Sequence, residues 1–289
     1  MLTRILTGAV LALGCFAAFG FVHSAFLTLS VLFVFVAVGG AEFLAMCWAP
    51  KGDTDVKSPK LGLKHWFFGA TYAVPLMLQG VFCVSSCRPQ LLVGLNGAWC
   101  AILLLVNAAF VWRKYSQLEK AVQVWMAYLA GFVYLALPGL VLLNLVQLQA
   151  GKMLWNAPFW FAIAVVYMGD TGAYFTGVSL GKRKLIPAVS PKKTWEGSVG
   201  GLVWSAATAV VLNLFFEFQM HWAVAIFAGI LMGASGQIGD LVESAVKRVS
   251  GYKDSGWIFP GHGGVLDRID SLLFAAPVCY GIFLACGIA

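Results

Sequence analysis

The chain has 289 residues, 61% of them hydrophobic and only 11% charged, with a mean hydropathy of +0.86 and a formal net charge of +7. A soluble domain needs about 25% charged residues to cover its surface, so the composition excludes one. The apolar runs are continuous rather than alternating and reach roughly 17–25 residues, the length at which a helix crosses about 30 Å of hydrocarbon; helices are therefore preferred to a transmembrane barrel.

In chain order the runs place spans at about 5–21, 24–48, 66–83, 91–112, 121–146, 155–178, 199–216, 222–246 and 269–288. The expected fold is an all-α polytopic transmembrane helix bundle of about nine spans. Met1-Leu2-Thr3-Arg4 before an apolar run resembles a signal peptide, but no small-x-small cleavage site follows, so the segment reads as an uncleaved first span. Leu137-Pro138-Gly139 sits inside the fifth run and could break or kink it. The seven cysteines lie mostly in apolar runs without a C-x-x-C pair and read as packing residues.

Of the 19 Lys and Arg, 17 fall on one side of this topology, leaving Arg88 and Lys152 opposite. The positive-inside rule makes that side cytoplasmic, together with the N-terminus. Small residues at helix-packing spacing, Gly177/Gly181, Gly197/Gly201 and Gly229/Gly233, point to close helix contacts. Eight of the twelve acids lie between Asp170 and Asp270. The division expected is scaffold helices over 1–150 and a catalytic region over 151–289, within one membrane unit. Glu42 and Glu217 lie near span ends and read as interfacial.

Chemistry concentrates in two segments at the cytoplasmic helix ends. Asp240, Glu243, Ser244 and Lys247 are spaced i, i+3, i+4, i+7 and share one helix face. Their simplest reading is an internal Glu243–Lys247 ion pair. Asp267 and Asp270 repeat the i, i+3 spacing at the start of the last span. Carboxylates from two adjoining helix ends suit a hard divalent cation such as Mg²⁺, here Asp240, Asp267 and Asp270. Lys247, Arg248, Lys253 and Arg268 would supply donors to phosphates. The intervening Pro260-Gly261-His262-Gly263-Gly264 can bring backbone N–H groups close to an anion. Upstream, Asp170 lies within span six. In Ser190-Pro191-Lys192-Lys193-Thr194-Trp195-Glu196-Gly197, Pro191 offers a helix start beside two lysines. Positive-inside charge alone would also account for Lys192 and Lys193, and a hydrogen bond to a neighbouring helix for Asp170.

The 27 residues from Ser244 to Asp270 contain S-x-x-K-R, K-D, H-G-G, D-R and D in order. This run resembles the signature of the phosphatidate cytidylyltransferases, also called CDP-diacylglycerol synthases. Ser190–Gly197 is similar to that family's S-P-K-K-T-x-E-G. The likeness extends through the C-terminal half, whereas the first four spans match only in being hydrophobic. It implies transfer of the cytidylyl group of CTP to phosphatidate, giving CDP-diacylglycerol and pyrophosphate for phospholipid biosynthesis. The catalytic residues would then be Asp240, Lys247, Asp254, His262, Asp267, Arg268 and Asp270. Ser190, Lys192, Lys193, Thr194, Glu196, Ser244, Arg248, Lys253, Gly263, Gly264 and Asp170 would bind substrate. The implied cofactor is Mg²⁺, alone or as one of two metal ions, the second of which could be monovalent. The implied partners are CTP, phosphatidate and membrane lipids, with no nucleic acid and with a homodimer as the family's assembly. The implied setting is a bacterial-type inner membrane with the site on the cytoplasmic side. A CTP-dependent lipid-alcohol kinase is the alternative enzyme. A cation or proton-coupled transporter using Asp170, Asp240 and Asp267 as a relay would leave the glycine-histidine segment without a purpose.

Overall fold

The computed structural model describes residues 25–48, 58–84, 89–114, 116–148, 156–259 and 263–288. His262 and the first expected span therefore lie outside the described residues. The described elements are helices α1 (Ala25–Trp48), α2 (Leu63–Val84), α3 (Pro89–Lys114), α4 (Leu118–Gln147) and α5 (Ala157–Leu180). A short hairpin follows, strands β1 (Lys184–Ile186) and β2 (Ser190–Thr194), and then α6 (Trp195–Phe215), α7 (Trp222–Ser250) and α8 (Leu266–Ala285). Each helix overlies one of the runs marked out by hydropathy. Five of them, α1, α4, α6, α7 and α8, are long and apolar enough to cross a membrane by length and composition.

Two compact units are present. The first comprises the chain up to Leu143 with Val249–Asp267, and the second comprises Asn144–Arg248 with Arg268–Ala289. In the first unit α1 packs along α2, and an aromatic cluster fills the space towards α4. The Tyr72 hydroxyl donates to the Tyr128 carbonyl at 2.8 Å, which satisfies a phenol that is fully buried. Helix α4 does not break at Pro138. It widens into a π-helical turn at Phe132–Ala136 and continues to Gln147. Proline removes an amide donor and crowds the carbonyl four residues earlier, and one wide turn just before it relieves both defects.

In the second unit α5 packs along α6 through the small residues picked out by spacing. An added Cβ at Gly197 would lie 3.1 Å from the Gly177 Cα, and one at Gly229 would lie 2.6 Å from the Ala206 Cα. Lipid tails provide no hydrophobic drive for helix association, so close backbone approach through small residues supplies the packing energy. The hairpin between α5 and α6 pairs Lys184 with Thr194 and Ile186 with Ser190. Pro191 consequently lies in β2 and not at a helix start. The helix begins at Trp195, capped by the Thr194 hydroxyl, which accepts from the Gly197 N–H at 3.1 Å. Hydropathy marks only apolar runs, so a five-residue polar strand leaves no trace in it.

Cys47, Cys279 and Cys286 are free thiols, and Cys279 is fully buried, in keeping with a packing role.

In the second unit α7 also closely approaches α8, where a Cβ on Gly239 would sit 2.5 Å from the Asp270 carbonyl oxygen. Gly239→Ala should therefore destabilise the protein by roughly 1–3 kcal/mol through overpacking. Thermal unfolding in detergent checks this, and an unchanged midpoint would show that the two backbones are not in contact.

Candidate functional site

Helix α7 carries Asp240, Glu243, Ser244 and Lys247 on one face, as their spacing requires. Glycine at position 239 lets the start of α8 come close, and this brings Asp270 beside them. One carboxylate oxygen each from Asp240, Glu243 and Asp270 lies within 4.8 Å of the others. Glu243 and Asp270 are buried, and Asp240 is partly open. Asp170, from α5, is within electrostatic reach of Asp240 and Asp270.

Three carboxylates at such spacing repel by roughly 3–4 kcal/mol per pair at an effective dielectric of about 20. Two lysines relieve part of this. The Lys193 ammonium meets Asp240 Oδ2 at 2.5 Å, reaching from β2, and Lys247 pairs with Glu243 one turn along α7. The Ser244 hydroxyl donates to Asp240 Oδ1 at 3.3 Å, and the Ser271 N–H donates to Asp270 Oδ1 at 2.7 Å. Four carboxylates (Asp170, Asp240, Glu243 and Asp270) against two ammonium groups leave a formal excess of two negative charges. An all-oxygen donor set with that excess matches a hard divalent cation, which prefers carboxylate oxygens.

The expected ion pair Glu243–Lys247 is present, and Glu243 also stands within ligand distance of Asp240 and Asp270. Its place in the acidic group was not anticipated, although its i+3 spacing from Asp240 was the available signal. Asp267 is placed differently. Its Oδ2 accepts from the Ser255 N–H at 2.9 Å, the Ser255 hydroxyl at 2.9 Å and the Gly264 N–H at 2.8 Å, all within the first unit. Gly263 has φ +82°, and a Cβ there would fall 2.5 Å from that oxygen. Glycine at 263 thus lets the loop fold tightly over Asp267.

The remaining described positions lie on the hairpin, at the ends of α7 and α8 and in the loop before Ser255. Lys192 is exposed on β2, and Ser190 pairs with Ile186. Arg248 Nε donates to the Val189 carbonyl at 3.2 Å and so holds the hairpin turn to the end of α7. The Arg268 carbonyl accepts from the Tyr167 hydroxyl at 2.6 Å. Lys253 is exposed and Asp254 half-buried in the loop that precedes Ser255. Glu196 accepts from the Lys182 N–H at 3.0 Å and the Arg183 N–H at 3.2 Å, closing the base of the hairpin.

Glu42 escaped the sequence reading. It is fully buried within the protein, and it accepts hydrogen bonds from the Ser255–Leu266 segment of the first unit. A lone glutamate in an apolar run, more than two hundred residues from its partners, offers no local pattern to detect.

A helical membrane protein whose acids and lysines converge in this way belongs to the class in which charges gathered at helix ends mark a functional site. Comparison with known proteins narrows this: the chain belongs to the cytidylyltransferase family, matching it over residues 2–286. It is 49% identical over 118 residues to the phosphatidate cytidylyltransferase of Staphylococcus saprophyticus, covering 41% of this chain and 45% of the relative. It is 48% identical over 120 residues to the phosphatidate cytidylyltransferase of Bacillus subtilis, covering 42% of this chain and 45% of the relative. The matched stretches thus span somewhat under half the length of these relatives.

Because Glu196 ties two backbone amides at the hairpin base, Glu196→Ala should loosen residues 181–194. Limited trypsin digestion should then cut after Lys182, Arg183 or Lys184 severalfold faster than in the unsubstituted protein, and equal rates would contradict the hydrogen bonding described.

Proposed function

We propose that the protein transfers the cytidylyl group of CTP to phosphatidate, releasing CDP-diacylglycerol and pyrophosphate, at the Asp240–Glu243–Asp270 cluster. The observation that carries this reading is the convergence of those three carboxylates with Lys193 and Lys247. Family membership and the names of the relatives support it.

The reaction forms a bond from a lipid phosphate oxygen to the α-phosphorus of CTP. The bond from that phosphorus to the bridging oxygen breaks, and pyrophosphate leaves with the electron pair. The attacking phosphate is already anionic at neutral pH, so no strong general base is needed. The barrier lies in bringing anions together and in the charge that grows on the leaving group. Asp240, Asp270 and Glu243 would hold Mg²⁺, which when bound supplies positive charge to the phosphate oxygens. Lys193 and Lys247 hold position against Asp240 and Glu243, and can transfer donors to an arriving triphosphate while staying close to the acids. Arg248, beside the hairpin turn, and the exposed Lys192 add cationic donors on the same unit. Lys253, Asp254, His262, Gly263, Gly264, Asp267 and Arg268 enter this reading through the signature to which they belong. The positive-inside distribution supports a reaction on the cytoplasmic face, where water-soluble CTP meets the membrane lipid.

Purified protein should release pyrophosphate only when CTP, phosphatidate and Mg²⁺ are all present, and chelation should stop it. Asp240→Asn and Asp270→Asn should each lower kcat/KM by about a hundredfold or more, the usual scale for removing one preorganised electrostatic group. Either variant turning over at the unsubstituted rate would place the chemistry elsewhere.

A further inference from the structure

Glu42 lies in α1, among helices whose sequence suggested scaffold alone. Its side chain is fully buried, and among the described residues no lysine or arginine forms an ion pair with it. Instead the signature segment wraps it. Oε1 accepts from the Val265 N–H at 3.1 Å, and Oε2 accepts from the Leu266 N–H at 2.9 Å and lies 3.1 Å from the Ser255 hydroxyl, whose single proton it shares with Asp267 Oδ2. A Cβ at either Gly256 or Gly264 would collide with the carboxylate, so both glycines are needed for the backbone to close around it. Ser255 then passes the constraint on, since its N–H and hydroxyl both lie 2.9 Å from Asp267 Oδ2.

Burying an acid in this way is expensive unless its lone pairs are filled, and here backbone donors fill them. Val265 and Leu266 stand at the very start of α8, where the first amides have no partner within the helix. One buried carboxylate therefore fixes both the end of the loop carrying Lys253 and Asp254 and the first residues of α8.

We propose that Glu42 is a positioning residue for cytidylyl transfer, holding the Ser255–Leu266 segment in its reactive arrangement without touching substrate. The inference rests on the reaction proposed above. It also gives α1 a positioning part in place of scaffold alone.

Glu42→Gln keeps the shape but turns one acceptor into an amide donor facing other donors. Amide exchange of a peptide covering Val265 and Leu266, followed without substrate in detergent, should accelerate at least about tenfold, as expected for losing hydrogen bonds to a charged acceptor. Among folded molecules kcat should fall at least about tenfold while KM for CTP changes less than about threefold. Unsubstituted exchange and kcat would overturn the proposal. So would a loss of folded protein in which the remaining molecules keep full kcat, since that is a purely structural role. If Glu42→Gln does not accumulate in folded form, Ser255→Ala carries the same test, because it removes only the hydroxyl between Glu42 and Asp267. Faster exchange of residues 251–259 with lower kcat supports the proposal, and unchanged values of both overturn it. Exchange is measured without turnover, so unsubstituted protein that protects these amides yet makes no CDP-lipid would refute the reaction and not the anchor.

Discussion

A carboxylate withdrawn from water at membrane depth costs several kcal/mol until something meets its charge and its lone pairs. Both units of this protein are arranged around that constraint, and they answer it in different ways. In the first, Glu42 and Asp267 are met by backbone amides and one serine hydroxyl. Such neutral donors satisfy lone pairs and fix geometry. In the second, Asp240, Glu243 and Asp270 are crowded together and met by lysines, with negative charge left over. The first arrangement is complete in itself; the second calls for a further cation.

Helix packing makes this possible. Lipid-exposed helices associate through small residues, and the same glycines that bring backbones together also set where polar groups meet. Gly239 shows the coupling most directly, because the space it leaves is filled by the backbone of Asp270. Thr194 caps α6, and Glu196 ties the hairpin base, so that Lys193 leaves β2 in reach of Asp240. Elements with closed hydrogen bonding thus hold lysine side chains near the acids, as preorganised charge stabilisation needs.

Much of this was legible in the sequence, because membrane helices announce themselves through continuous apolar runs and helix faces through i, i+3, i+4 spacing. The face of Asp240, Glu243 and Lys247 and the packing glycines follow from such local periodicity. Pro138 was readable as a disturbance, but its resolution into a π-helical turn depends on the surrounding helix and not on the proline itself. The hairpin was missed because short polar strands carry no apolar pattern. The partition of the acids was harder still. Asp267 and Asp270 share a spacing that suggests common work, yet Asp267 accepts from its own loop while Asp270 stands with Asp240 and Glu243. Nothing within a helix's periodicity reports which neighbour reaches it, and Glu42 meets Ser255 across 213 positions of chain.

The central claim is that the acidic and basic cluster transfers a nucleotidyl group rather than a terminal phosphoryl group or an ion. The most direct measurement follows label from CTP into lipid, using purified protein, phosphatidate and Mg²⁺. Label at the α-phosphate should enter the lipid product while label at the γ-phosphate leaves in pyrophosphate. Transfer of the γ-label to lipid, or no transfer of either, would contradict the account.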